Sequence, residues 1–146
     1  MNKGKLHLVL HSHLPYVLGH GTWPHGTDWL FEAAAETYIP LLMVFERLEE
    51  DGVPFQMSIG LTPVLCEQLN HRQFAGGFHS YLEQKVNDAR QNREAFSAVG
   101  DSDMAELAEM WESSYSEIME YLERKLDRDI LSGFAKLQDR GRLEIS

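Results

Sequence analysis

The sequence predicts an α/β fold. Two short apolar segments, residues 5–11 and 54–60, have the length and composition of buried β-strands. Between them, residues 29–51 carry leucines and a phenylalanine at helical spacing. Two strands joined by a helix of this length pair in parallel, so we expect a parallel sheet with helices packed against it.

The first half of the chain supplies a strand, a loop, a helix and a second strand. After the strand at residues 5–11, residues 12–28 contain five prolines and glycines, which predict a long loop, and long loops are often functional. The helix at residues 29–51 ends at Gly52, and we expect Pro40 to divide it in two. Behind the second strand, Thr62–Pro63 has the composition of a capped helix start.

The second half of the chain is predicted to form helices followed by a third strand. Residues 71–98 form one amphipathic helix, and Asp103 with Glu106 has capping-box spacing at the start of another, so we expect an antiparallel pair. The apolar positions of that second helix are Met104, Leu107, Ala108, Trp111, Tyr115, Ile118, Met119 and Leu122. A further helix at residues 127–140 ends at Gly141.

The last five residues, 142–146, are predicted to form the third strand. The chain then divides into a strand–helix part at 1–70, a helical segment at 71–141 and the third strand at 142–146. Because a parallel strand normally continues into a loop that carries function, we expect the chain to be a piece of a longer protein.

Composition excludes several classes of protein. The net charge is −10, from 23 acidic and 13 basic residues, and this sign repels nucleic acid. No apolar stretch approaches the roughly 20 residues that cross a membrane, and the N-terminus lacks the features of a secretory signal. A single cysteine, Cys66, forms no intramolecular disulfide and lies in an apolar helix as an inert core residue, so we expect a reducing cytoplasm.

Histidines are concentrated near the N-terminus, where five of the seven lie within the first 25 residues. His11 and His13 flank Ser12 at the end of the first strand, so their imidazoles point to one side of the sheet's carboxyl edge. Three interpretations remain open. The pair bonds the hydroxyls of a polar ligand, binds a divalent metal together with a third ligand, or satisfies buried backbone groups.

Aromatic residues surround the same loop: Tyr16, Trp23, Trp29 and Tyr38. Flat rings beside hydrogen-bonding groups suit the apolar faces of sugars. We expect Trp23 to contact a ligand and Trp29 to fix the loop. Glu32 and Glu36, one helical turn apart, have the spacing of a solvated pair or of partners for the histidines, with acid–base chemistry as the alternative.

Two stretches carry a family resemblance. Residues 7–42 (HLVLHSHLPYVLGHGTWPHGTDWLFEAAAETYIPLL) and 58–69 (SIGLTPVLCEQL) resemble the N-terminal part of family 57 glycoside hydrolases, and most closely its glucan-branching members. The resemblance implies the N-terminal portion of an incomplete seven-stranded (β/α) barrel, with a long helical pair before the third strand. It implies α-1,4-glucan as the substrate and no cofactor or metal.

The resemblance also implies roles for residues. His11 and His13 match the paired histidines that line the sugar subsite at the cleavage point, and Trp23 matches a loop tryptophan that contacts substrate. A glutamate nucleophile and an aspartate acid are implied on later strands, beyond Ser146. The alternatives are a family 57 α-amylase or 4-α-glucanotransferase, a non-catalytic glucan-binding module, and a metal-dependent hydrolase that uses the two histidines.

Overall fold

A computed structural model describes Gly4 and residues 6–146. The elements in chain order are β1 (Val9–Ser12), α1 (Thr27–Ala33), a π-helical segment (Ala34–Tyr38), α2 (Ile39–Glu50), β2 (Met57–Leu61), α3 (Pro63–Leu69), α4 (Arg72–Ala98), α5 (Ser102–Arg124), α6 (Ile130–Asp139) and β3 (Leu143–Ile145). Among the described helices, none combines the length and apolar composition needed to cross a membrane.

The three strands form one parallel sheet in the order β1-β2-β3, so the predicted α/β class is confirmed. The helices cover one face of this sheet. Ile59 and Leu61 of β2 and Leu143 of β3 point into that side and are buried. The opposite face carries Val9, which is 66% exposed. Among the described residues, β1 lies at the edge of the sheet and the helices pack on the other side from Val9, so the prediction that the first strand is covered on both faces is wrong for this part of the chain.

The long helix after the loop is not divided at Pro40. It continues from α1 through the π-helical segment into α2, and Pro40 lies in the first turn of α2. Proline has no amide hydrogen to donate to the carbonyl four residues earlier, and the wider π turn directly precedes it. The helical path therefore absorbs the proline without a break, which corrects the expectation of two separate helices.

The antiparallel pair α4–α5 is confirmed, with one difference at its turn. The N-cap of α5 is Asp101, whose Oδ1 accepts from the Met104 amide at 3.2 Å. Asp103 therefore lies in the first turn, and the helix begins two residues before the position that the capping-box spacing predicts. Glu112 of α5 accepts from Arg90 at 2.8 Å and from Arg93 at 2.9 Å on α4. The two guanidinium groups, chiefly through the hydrogen bond from Arg90, lower the pKa of this carboxyl.

The helices join the sheet through one continuous core. Phe31 of α1 packs against Phe74, Phe78 and Tyr81 of α4, with ring centroids 5.4–5.8 Å apart. Further along, Glu46 of α2 accepts from Lys125 at 3.0 Å. These contacts hold the α4–α5 hairpin along α1 and α2, next to the loop that follows β1.

Candidate functional site

The two histidines lie on one face at the carboxyl end of β1. His11 pairs across the sheet with Gly60 of β2, and a Cβ at Gly60 would lie 3.1 Å from His11 Nδ1. His13 Nδ1 lies 3.4 Å from the hydroxyl of Thr62, the residue that caps α3. Both imidazoles are exposed. Since Gly60 has no side chain, the ring of His11 has room over the neighbouring strand.

Ser12, between the histidines, points to the opposite face. Its hydroxyl donates to the phenol oxygen of Tyr38 at 2.9 Å. Burial raises the pKa of Tyr38, so its phenol remains protonated and keeps its hydrogen-bonding capacity. This bond ties the end of β1 to the helical layer and thereby fixes the face on which the histidines lie.

The loop after β1 is anchored by Gln68, a residue that the sequence analysis missed. Gln68 is fully buried, accepts from the Val17 amide at 2.7 Å and donates to the carbonyl of Pro15 at 3.0 Å. A signal for it was present in the sequence. Gln68 falls on the apolar face of α3 with Leu65 and Leu69, and a polar side chain at such a position needs buried partners.

The tryptophans of the loop region occupy different environments. Trp23 is 80% exposed, so its indole is open to a ligand. Trp29, at 38% exposed, packs against His25 with ring centroids 5.5 Å apart, as expected for a residue that fixes the loop. Trp29 also borders an open cleft of about 590 Å³ beside β1. We call this the histidine cleft, and its polar lining includes His11, Ser12, His13, Glu36 and Tyr38.

The two glutamates of the long helix differ in their contacts. Glu36 lines the histidine cleft, and its Oε1 accepts from the Tyr115 hydroxyl of α5 at 2.8 Å. Burial, followed by the hydrogen bond to Glu36, raises the pKa of Tyr115 above its usual range. Glu32 is exposed. Neither residue lies on a strand end, and Glu36 is a cleft-lining carboxylate held by a neutral phenol.

Besides Val9, the uncovered face of the sheet carries further polar side chains beyond the histidine pair. His7 Nε2 lies 2.9 Å from the Ser58 hydroxyl, which donates to Glu144 at 3.4 Å. This row runs from the segment before β1 across β2 to β3. It extends the polar surface from the carboxyl end of β1 towards the other end of the sheet.

The metal interpretation of the histidine pair requires a third ligand. Within residues 6–146, no three His, Cys, Asp or Glu side chains lie together in a way that could hold a metal ion.

Cys66 has its Sγ 3.9 Å from the Leu61 carbonyl, and burial raises the pKa of this thiol, which keeps it protonated and unreactive.

A parallel sheet with helices packed on one side, and with two exposed imidazoles at the carboxyl end of its first strand, defines an α/β protein. Its family follows from the match to the glycosyl hydrolase family 57 model, which covers residues 7–146. The chain belongs to glycosyl hydrolase family 57.

Curated relatives are branching enzymes. The chain is 40% identical over 143 residues to a 1,4-alpha-glucan branching enzyme of Thermococcus kodakarensis, which covers 98% of this chain and 20% of that protein. It is 36% identical over 101 residues to a probable 1,4-alpha-glucan branching enzyme of Mycobacterium tuberculosis, over 63% of this chain and 19% of that protein. The chain therefore spans about a fifth of the length of these relatives.

Solved structures show the same fold. The family 57 branching enzyme of Pyrococcus horikoshii aligns with a TM-score of 0.91 at 42% identity, over 97% of this chain and 26% of that chain. The alpha-amylase AmyC of Thermotoga maritima aligns with a TM-score of 0.83 at 33% identity, over 95% of this chain and 26% of that chain. The arrangement of three strands and the helical hairpin is thus common to branching and amylase members.

Proposed function

We propose that this chain is the N-terminal, substrate-binding part of a 1,4-α-glucan branching enzyme. The full enzyme cleaves an α-1,4 bond with retention and transfers the released chain to form an α-1,6 branch. The observation that carries the proposal is the pair His11 and His13 on one exposed face at the carboxyl end of β1, with room for an imidazole over Gly60. The similarity to branching enzymes over almost the whole chain supports it.

The histidines and the loop tryptophan have separate roles in this proposal. His11 and His13 bond sugar hydroxyls as the ring approaches its oxocarbenium-like transition state. Trp23 stacks against the glucan and shields the site from water, which favours transfer over hydrolysis. Its 80% exposure leaves the indole free for that contact.

The catalytic carboxylates belong, in this proposal, to the rest of the enzyme. Residues 1–70, 71–141 and 142–146 supply the first strands, the helical segment and the third strand of an incomplete seven-stranded (β/α) barrel. The nucleophilic glutamate and the acidic aspartate lie on strands that follow β3. The substrate is an α-1,4-glucan such as amylose or a glycogen-like polysaccharide. The inert, protonated Cys66 is compatible with a reducing cytoplasm.

Calorimetric titration with maltoheptaose tests the binding role. We expect the purified protein to bind at millimolar ligand and His11→Ala or His13→Ala to weaken binding at least about fivefold, since each removes a hydrogen bond worth about 1 kcal/mol. His20→Ala, an exposed histidine of the same loop, is the matched control and should bind as before. Absence of binding heat, or equal loss in the control, would refute the proposal.

A family 57 α-amylase is the second candidate, favoured by the alignment with AmyC at a TM-score of 0.83. Linkage analysis of the products from the full-length enzyme separates the two, because branching creates α-1,6 bonds and amylase activity does not.

For the 146-residue chain alone, an iodine-stain assay should show no glucan transfer, because the proposed catalytic carboxylates lie elsewhere.

A further inference from the structure

The α4–α5 hairpin has a second cleft, separate from the histidine cleft. This hairpin cleft has a volume of about 380 Å³ and lies between the two helices. Its lining includes Lys85, Asp88 and Asn92 from α4 and Met104, Leu107 and Trp111 from α5. The sequence places these α5 side chains on the apolar side of an amphipathic helix, and Leu107 is 45% exposed and Met104 is 40% exposed. They line an open cleft because the hairpin extends past the core that buries Tyr115.

Trp111 is a rigid aromatic surface within the hairpin cleft. Its ring stacks on Tyr115 with centroids 5.4 Å apart and planes 25° apart, while 37% of Trp111 remains exposed. Tyr115 is itself only 6% exposed and is held by its hydrogen bond to Glu36. The indole is thus fixed from one side and accessible from the other, the preorganised arrangement that lowers the entropic cost of binding.

The hydrogen bond between Tyr115 and Glu36 joins the lining of the hairpin cleft to the lining of the histidine cleft. Glu36 borders the histidine cleft, and Tyr115 borders the hairpin cleft. The contacts Glu36–Tyr115 and Glu46–Lys125 both join residues 79 apart, so α5 runs parallel to the helix formed by α1 and α2. Trp111 therefore lies towards the beginning of α1, which is the end that follows the histidine-bearing loop.

The charge of the hairpin selects among ligands. Between Asp101 and Glu123 the chain has eight carboxylates and no lysine or arginine, and only Glu112 among them is paired with arginines of α4, so this stretch disfavours phosphates and other polyanions. The cleft lining itself has one charge of each sign, Lys85 and Asp88. Carboxylate and amide oxygens at Asp88 and Asn92 accept hydrogen bonds from hydroxyls, and an indole face suits the apolar face of a pyranose. A neutral, hydroxyl-rich chain meets all of these conditions.

We propose that the hairpin cleft is a second glucan-binding site, in which Trp111 stacks on a pyranose ring while Asp88 and Asn92 accept hydrogen bonds from its hydroxyls. This inference rests on the proposed function, since it takes the same substrate, and it adds a site outside the histidine cleft. It holds a distant stretch of the polysaccharide beside the site where another stretch reacts, which raises the local concentration of substrate.

Nuclear magnetic resonance can observe each indole separately. The chain has three tryptophans, two in the loop region and Trp111 on the hairpin, so a ¹⁵N-labelled sample should give three indole Nε1–H signals, with Trp111→Phe assigning one. On titration with maltoheptaose we expect the Trp111 signal to shift, and to shift also in His11→Ala. If the Trp23 or Trp29 signal shifts and the Trp111 signal does not, the hairpin site is wrong and the proposed function stands.

Variants provide the second measurement. Trp111→Ala should weaken the binding of soluble amylose by about tenfold, as loss of an aromatic stack does, whereas Trp111→Phe should retain most of it. Met110→Ala is the control, because Met110 is 50% exposed on the same helix outside the lining of the cleft. Circular dichroism checks that each variant is folded. Unchanged amylose binding by folded Trp111→Ala would overturn the proposal. So would a variant that binds amylose as before but no longer self-associates, as measured by light scattering.

Discussion

Two residues that are not proposed to contact the ligand determine how the side chains of His11 and His13 are positioned. Gly60 leaves the space that the His11 imidazole occupies, with a hypothetical Cβ only 3.1 Å from Nδ1. Gln68 fixes the loop that begins at His13 through two hydrogen bonds, of which the one from the Val17 amide is buried. Both residues lie far from the histidines in sequence, so their effect depends on the tertiary contacts of β2 and α3.

Gly60→Ala should weaken glucan binding without lowering stability. The new methyl group forces the exposed His11 ring to move, and loss of one hydrogen bond of about 1 kcal/mol reduces affinity about fivefold. An alanine in a strand is otherwise favoured over glycine by roughly 0.5–1 kcal/mol. Calorimetric titration with maltoheptaose and urea unfolding measure the two effects. A fall in stability with unchanged affinity would contradict the assigned role of Gly60.

Gln68→Leu should destabilise the protein by about 3 kcal/mol, because the Val17 amide and the Pro15 carbonyl lose buried partners, each at about 1–3 kcal/mol. Urea unfolding measures the change. Glu67→Leu, at the exposed neighbouring position, serves as control and should change stability by no more than about 0.5 kcal/mol. Equal effects at the two positions would show that Gln68 does not anchor the loop.

At the scale of elements, α4 is placed by aromatic packing against α1. Its consecutive glycines, Gly76 and Gly77, have different surroundings. A Cβ at Gly77 would lie 2.8 Å from the ring of Phe31, whereas a Cβ at Gly76 meets nothing within 4 Å. Since Phe31 is confined by Phe74 and Phe78, the ring cannot easily move away. Gly77 is thus required for the close approach of the two helices.

The two glycines should respond to alanine with opposite signs. Gly76→Ala should stabilise the protein by up to about 1 kcal/mol through helix propensity. Gly77→Ala should destabilise it by about 1–3 kcal/mol, because overpacking against Phe31 outweighs the same gain. Thermal unfolding of both variants under identical conditions provides the comparison. Similar stabilisation by the two substitutions would mean that α1 and α4 are not in close contact at Gly77.

Across the whole molecule, tyrosines at the helix interfaces link stability to alkaline pH. Burial is the main cause that raises the pKa of Tyr81, Tyr115 and Tyr121. Nearby carboxylates add to it, foremost Glu36 for Tyr81 and Glu46 for Tyr121. The folded protein therefore holds these phenol protons at a pH where the unfolded chain releases them.

The sign of the pH dependence follows directly. Stability should be fully present below about pH 10, the ordinary tyrosine pKa, and should fall as the pH rises above it. Thermal unfolding followed by circular dichroism between about pH 8 and pH 11 measures this decline. In Tyr115→Phe the decline should be shallower, because one of the phenols is gone. A constant melting temperature across this range would contradict the burial of these groups.

The sequence by itself determined the α/β class, the order of the elements and the antiparallel hairpin, because hydrophobic periodicity and turn residues are local properties. It also placed His11 and His13 on one face, since alternation along an extended segment fixes that relation.

Only the tertiary structure decided which faces are covered and which residues meet. It showed that β1 is the exposed edge among the three described strands, that the helix passes Pro40 through a π segment, and that Gln68 anchors the loop. It also left Trp111 open beside Tyr115, at a position whose spacing predicts burial. Periodicity identifies the apolar side of a helix, but whether a neighbour reaches that side depends on contacts between residues far apart in the chain.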